Sequence, residues 1–98
     1  MDKTVLFDIE EIKDASIKET LKEVYDSLKE KGYNPINQIT GYIITGDPGY
    51  ISNFEGARNK IISIDRSELV ALLVKEHMLI LILHLNLHLG YHLNLNFI

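Results

Sequence analysis

Cysteine and tryptophan are absent from this 98-residue chain, and basic side chains are scarce. Without cysteine the chain has no disulfide bonds, thiolate metal sites or cysteine nucleophiles, and it fits a reducing cytosol. The chain contains ten lysines and arginines and 14 aspartates and glutamates, which gives a net charge of −4. That balance argues against nucleic-acid and anionic-membrane partners, because both require clustered cations. We therefore expect a cytoplasmic protein that binds neither.

The length suits one small domain with a core but no spacious active site. Its N-terminus, MDKTVLFDIEEIKD, is acidic and lacks the basic start and long apolar run of a signal peptide. Apolar and acidic positions alternate there without a helical period. We predict that residues 1–14 form a flexible N-terminal arm.

The first predicted helix follows this arm, near residues 15–31. Ser16 and Glu19 form a capping-box pattern, in which each side chain can bond the backbone N–H of the other residue. Ile17, Leu21, Val24, Tyr25 and Leu28 then recur at helical spacing. Gly32 supplies the residue that commonly ends a helix, because glycine adopts positive φ without strain.

Glycine and proline are concentrated in EKGYNPINQITGYIITGDPGYI, residues 30–51, which holds four of six glycines and both prolines. Asn34 followed by Pro35 predicts a helix start, and Gly46 predicts its end, giving a helix over 35–45. Gly41 lies inside this helix, where we expect another backbone to pass close by. Asp47 followed by Pro48 starts a short turn near 48–52.

A phosphate-binding loop is the alternative for this stretch, since residues 41–49 read G-x-x-x-x-G-x-x-G. A P-loop requires Lys and then Ser or Thr after the second glycine. Here Asp47 and Pro48 follow, so a carboxylate would repel phosphate and a donor amide is missing. We therefore interpret these glycines and prolines as helix boundaries.

Further helices are predicted near 54–63 and 66–76, the second opened by the capping pattern of Asp65 and Glu68. The fold class is therefore all-α, a compact domain of four to five short helices spanning residues 15–76. No nucleophile, base and orienting group come together in it, so we expect no enzymatic activity and no cofactor. A helix-turn-helix alternative needs a basic recognition helix, and Asn53–Lys60 offers few suitable side chains.

Several of these motifs together resemble the IreB family of small bacterial regulatory phosphoproteins. The resemblance rests on EKGYNPINQI, then Gly41-Tyr42, Gly46-Asp47-Pro48, Tyr50-Ile51 and Ala57-Arg58-Asn59, and it covers roughly Thr4 to Glu76. Its motif residues, expected to serve structure or interaction, are Gly32, Tyr33, Asn34, Pro35, Asn37, Gln38, Gly41, Tyr42, Gly46, Asp47, Pro48, Tyr50 and Arg58.

The resemblance implies a cytoplasmic, homodimeric protein without catalytic activity. Its implied partners are a transmembrane Ser/Thr kinase with PASTA domains and the cognate phosphatase, acting in the response to cell-wall stress and antibiotics. Phosphorylation is expected on a threonine of the N-terminal arm, and Thr4 matches that position. The downstream protein target is unknown. A small DNA-binding or scaffold protein is the alternative function.

The last 22 residues, 77–98, follow different rules: they carry no charge and hold eight of the fourteen leucines. Every odd position from Leu79 to Phe97 is Leu, Tyr or Phe, a period-two pattern that predicts a strand, or disorder if the strand finds no partner. Three interpretations are open. His84, His88 and His92 could bind a metal on a helix; the segment could pair as a β-extension between subunits; or it is non-native sequence from a shifted reading frame. We favour the third and expect no metal site.

Overall fold

The computed structural model describes the backbone of residues 3–89 and the side chains of residues 9–88. This part of the chain contains four α-helices, two single-turn 3-10 segments and no strand. The helices are α1 (Lys3–Glu30), α2 (Pro35–Thr45), α3 (Ala57–Ile62) and α4 (Arg66–Leu89), and the 3-10 segments are Pro48–Tyr50 and Phe54–Gly56. The predicted all-α fold is confirmed.

α2 has the boundaries that its sequence predicts. The Asn34 side chain accepts a hydrogen bond from the backbone N–H of Asn37 at 3.1 Å, and Pro35 takes the first helical position, where its missing N–H is not needed. Gly46 ends the helix with φ 75°, and its N–H donates to the Tyr42 carbonyl at 2.7 Å. Pro35, Gly46 and Pro48 therefore mark helix boundaries, whereas Gly41 lies inside α2.

α1 begins at Lys3, so the predicted start at residue 15 is wrong. Ser16 lies in the middle of the helix, with its side chain exposed. Residues 3–14 contain no proline or glycine, and their Leu, Ile, Lys and Glu are compatible with helix. Nothing therefore ends the helix before Ser16, and its capping box is unused. Whether residues 1–14 behave as a separate flexible arm remains a prediction.

α4 continues to Leu89, thirteen residues beyond the predicted end at Glu76. The predicted strand is therefore wrong for residues 77–89. A strand needs a neighbour to pair its backbone N–H and C=O groups, whereas a helix pairs them within itself. No strand exists in the described chain to serve as that neighbour, and leucine is a strong helix former. The rest of the predicted tail, residues 90–98, lies outside the described residues.

The core is built by the second half of α1, one face of α2, α3 and the start of α4. Its buried residues are Ile17, Val24, Leu28, Ile39, Tyr42, Ile51, Ala57, Ile61, Ile64, Leu69 and Leu72. Three of the five residues predicted for the α1 face are therefore in the core, and Leu21 packs against it. The core leaves both the first half of α1 and the second half of α4 without buried side chains among those described.

α2 buries only part of its apolar surface against the core. Ile39 and Tyr42 are buried, whereas Ile36 and Ile44 are 62% and 76% exposed. Because 100° separates successive helical residues, positions 39 and 42 share a stripe from which 36 and 44 are rotated away. The four isoleucines of α2 therefore do not form a single buried face.

Candidate functional site

Gly41 and Tyr50, two residues of the shared motifs, are in direct contact. A Cβ atom at Gly41 would overlap the Tyr50 ring, at 3.0 Å from Cγ and Cε1 and closer still to Cδ1. A residue without a Cβ atom is therefore required at position 41 for the Tyr50 ring to pack this close to α2. The approaching group is an aromatic side chain from the 3-10 segment Pro48–Tyr50, and not the backbone that we expected.

Gly46 serves both as a helix end and as a packing surface. Its φ of 75° lies in the left-handed region, and a Cβ there would also overlap the Arg66 guanidinium at the start of α4. The next residue, Asp47, accepts a hydrogen bond from the Gly49 N–H at 2.8 Å and caps the following turn. The Gly46-Asp47-Pro48 motif therefore connects α2 to the 3-10 segment Pro48–Tyr50 and lies against Arg66 of α4.

Gln38 and Arg58 fix the loop that follows this turn. The Gln38 side chain donates to Ser52 Oγ at 3.3 Å and accepts from the Ser52 backbone N–H at 3.0 Å. Arg58 Nε donates to the Ile51 carbonyl at 2.8 Å, while Ile51 itself is fully buried. Most of the motif side chains thus stabilise one unit made of α2, the loop and α3.

Some motif side chains nevertheless remain largely on the surface. Tyr33 and Tyr50 are 42% and 50% exposed, and the neighbouring Ile36 and Ile44 of α2 are more exposed still. Tyr33, Pro35 and Ile36 also line an open cavity of about 350 Å³ at the junction of α1 and α2. Large apolar side chains exposed together indicate an interaction surface.

Thr4, the expected phosphorylation site, lies in the first turn of α1. The expectation that it lies in extended chain is wrong for this structure, because the backbone is helical from Lys3 onward. The side chains described in its helical neighbourhood, from Ile9 to Ser16, are not buried.

Three ion pairs join residues 13–18 of α1 to α4, and they were not predicted from the sequence. They are Lys13 Nζ to Glu68 Oε1 at 2.5 Å, Lys75 Nζ to Asp14 Oδ2 at 2.5 Å, and Lys18 Nζ to Glu76 Oε1 at 2.6 Å. The partners are more than 50 residues apart in the chain, so no local spacing rule could have paired them. The sequence shows only that the charges alternate in complementary order. They are positive, negative and positive at residues 13, 14 and 18 of α1, and negative, positive and negative at residues 68, 75 and 76 of α4.

Two of these pairs raise the pKa of their lysines. The hydrogen bond to Glu68 and the charge of that carboxylate raise the pKa of Lys13 above its ordinary value. The hydrogen bond to Asp14 likewise raises the pKa of Lys75. All four side chains remain partly exposed, with 31–55% of each accessible to solvent. Water and salt therefore weaken the attraction.

Two open cavities lie between α1 and the start of α4, of about 240 Å³ and 520 Å³. Lys13, Ile17 and Glu68 line both, so the Lys13–Glu68 pair stands between them. The two helices therefore face each other across a cleft that the ion pairs bridge.

The other chemistries considered from the sequence find little support in the described residues. The His84 and His88 rings lie on α4 and stack with centroids 6.2 Å apart, whereas His92 lies outside the described residues. The side chains of residues 9–88 contain no group of three metal ligands. In the candidate recognition helix, Arg58 bonds the loop and Lys60 pairs with Glu23 at 3.7 Å. No helix among residues 3–89 is long and apolar enough to cross a membrane.

The comparison with known families agrees with these motifs. A family model described as IreB regulatory phosphoprotein matches residues 2–79, which is most of the chain. The match includes Thr4, every motif residue of the α2–α3 unit and all six partners of the α1–α4 ion pairs.

Proposed function

The chain belongs to the IreB family of regulatory phosphoproteins, and from this premise we propose that Thr4 is its phosphorylation site. The proposed partners are a PASTA-type transmembrane Ser/Thr kinase and its phosphatase, in the cytoplasmic response to cell-wall stress and antibiotics. The protein acts in this proposal without catalysis of its own. The observation that carries it is the family match, which includes the N-terminal segment.

The surroundings of the four threonines favour Thr4. Thr45 donates its hydroxyl to the Gly41 carbonyl at 2.7 Å and accepts from the Asp47 N–H at 3.0 Å, so the end of α2 already uses it. Thr20 is half-buried in α1, and Thr40 lies inside α2. A kinase requires extended chain, and Thr4 needs only the first turn of a helix end to open.

The effect of the phosphate follows from its charge. It adds about −1.5 to −2 charges at pH 7 to a segment that already holds Asp2, Asp8, Glu10 and Glu11. The described side chains of this segment, those of residues 9–11, are exposed. We expect little change in thermal stability and a change in affinity for a protein partner, through repulsion from acidic surfaces or attraction to basic ones.

Mass spectrometry after incubation with a PASTA-type kinase tests the site. We expect one phosphate on the wild type, none on Thr4→Ala, and wild-type labelling of Thr40→Ala, the matched control for an exposed threonine inside a helix. Equal labelling of Thr4→Ala and wild type contradicts the assignment. Absence of label from every variant, together with a DNA mobility shift at physiological salt, would favour the DNA-binding alternative.

We also propose that the protein is a homodimer joined through the exposed face of α2. The resemblance to the family supports dimerisation, and the exposed Tyr33, Ile36 and Ile44 support this face. Light scattering tests it: Ile44→Glu should shift the dimer toward monomer, whereas Ile12→Glu, an equally exposed isoleucine on α1, should not. A wild-type monomer at micromolar concentration contradicts the proposal.

A further inference from the structure

Between residues 9 and 16, the described side chains of α1 include no buried apolar group. Ile9 and Ile12 are 48% and 69% exposed, and the first buried side chain described in α1 is Ile17. Among the described side chains, those of residues 9–12 make no ion pair or hydrogen bond to α4. The first such contacts come from Lys13 and Asp14.

The charges of these contacts also specify how the two helices align. Lys13, Asp14 and Lys18 of α1 meet partners of opposite sign in the same chain order along α4. Because Asp14 lies between two lysines, a shift of α4 that moved Lys75 toward either of them would place like charges together. The alternation therefore favours one register over its neighbours.

We propose that the Lys13–Glu68 and Asp14–Lys75 ion pairs form an ionic stop, the point at which unwinding of α1 from its N-terminus ends. Unwinding up to residue 12 breaks helical hydrogen bonds, and for the described side chains of residues 9–12 it breaks no bond to α4. Unwinding past residue 13 must also break the two ion pairs. Without them, the next contact that resists unwinding is the burial of Ile17, one turn further along the helix.

The ionic stop sets how much chain around Thr4 a kinase can bind in extended form. This consequence rests on the proposed function, but the stop itself is a property of the helix and needs no kinase to observe. The Lys13–Glu68 pair also divides the cleft between α1 and α4, because these two side chains line both of its cavities. Loss of that pair joins them into one cleft beside Ile17.

Hydrogen exchange of backbone amides in the full chain tests the stop. Lys13→Gln and Lys75→Gln keep a polar side chain of similar helix propensity but remove the charges. We expect exchange of the amides of residues 17–20, which bond the carbonyls of residues 13–16, to rise up to about fivefold for each lost pair, with residues 24–28 unchanged. Lys22→Gln is the matched control, because Lys22 pairs with Asp26 at 2.6 Å within α1 itself and makes no bond to α4.

Charge reversal provides the second test. Lys13→Glu alone should raise exchange of the amides of residues 17–20, and adding Glu68→Lys should bring it back toward the wild-type rate. A boundary that stays at residue 13 in the Lys13→Gln, Lys75→Gln double variant overturns the proposal. An equal effect of Lys22→Gln also overturns it, because helix propensity rather than the α4 contact would then set the boundary.

The kinase assay separates the stop from the proposed function. We expect faster initial phosphorylation of Thr4 in the double variant than in wild type. If the exchange boundary moves but this rate does not, the stop exists and its proposed link to the kinase is wrong. If Thr4 is phosphorylated in no variant, the proposed function fails, and the exchange data alone decide on the stop.

Discussion

The two halves of α1 belong to one continuous helix but are stabilised in different ways. The second half buries Val24 and Leu28 completely, beneath α2 and α3. The first half has no buried side chain between residues 9 and 16 and is attached to α4 by ion pairs. Apolar burial is worth several kcal/mol for each large side chain, and exposed ion pairs much less. Continuity of a helix is therefore no measure of how firmly each part is held.

Core truncation should give the largest difference between these halves. Leu28→Ala removes a fully buried side chain, and we expect the free energy of unfolding to fall by about 2–5 kcal/mol. Ile12→Ala removes one that is 69% exposed, and we expect a change within about 0.5 kcal/mol. Urea denaturation followed by circular dichroism measures both. Comparable losses would mean that the first half of α1 is part of the core.

Glycine substitutions should give the next largest effect, within the α2–α3 unit. Gly46→Ala and Gly56→Ala place a side chain at similar φ, 75° and 73°, and each should lose about 1–2 kcal/mol from left-handed strain. Gly46→Ala should lose more, because its Cβ also meets the Arg66 guanidinium, whereas nothing lies within 4 Å at Gly56.

Thermal unfolding of the Gly46→Ala, Arg66→Ala double variant isolates that contact. Removal of Arg66 should return the loss to that of Gly56→Ala. If the double variant stays as unstable as Gly46→Ala alone, the guanidinium is not responsible for the additional loss.

Substitution of the two predicted helix caps, Asn34 and Ser16, should change the free energy of unfolding by smaller amounts. Asn34→Ala should lower the free energy of unfolding by about 1 kcal/mol, since its side chain caps α2. Ser16→Ala should leave it nearly unchanged, because Ser16 lies inside α1. Chemical denaturation distinguishes them. A loss at Ser16 comparable to that at Asn34 would indicate that α1 in solution begins near residue 16.

Local rules in the sequence account for α2 and for much of the core, and they fail where a helix extends beyond the core. Asn34, Pro35 and Gly46 determine both ends of α2 through bonds within a few residues. At Ser16 the same rules predicted a boundary that is absent, because a capping box is effective only where the preceding chain leaves the helix. Beyond Glu76 the period-two pattern predicted a strand, but a strand needs a partner that the described chain does not supply.

The sequence predicted which residues belong to the candidate site, but only part of the contacts that these residues make. The motif run around EKGYNPINQI identified the family before any geometry was available. The contact of Gly41 with Tyr50 and that of Gly46 with Arg66 depend on tertiary packing, so the sequence showed that these glycines matter without showing what they touch. The ion pairs of α1 with α4 join residues more than 50 positions apart, beyond any local pattern.

The smallest expected effect is the pH dependence of the ionic stop. Lys13 and Lys75 have pKa values raised above 10.5 by their hydrogen-bonded carboxylates, Glu68 and Asp14. A raised lysine pKa means that the folded state holds the proton more tightly than the unfolded state, so the stabilisation is complete below pH 10.5 and lost as pH rises through the folded pKa. The difference in unfolding free energy between wild type and Lys13→Gln, Lys75→Gln should therefore be constant from pH 7 to 9 and vanish at higher pH.

NMR titration of the lysine side chains measures the cause directly. Glu68→Gln should return the Lys13 pKa toward its ordinary value and leave the raised pKa of Lys22, which depends on Asp26, unchanged. If Glu68→Gln leaves the Lys13 pKa where it was, the two side chains are not paired in solution. The first half of α1 would then be attached to α4 by one fewer ion pair, and the contrast with its buried second half would be sharper still.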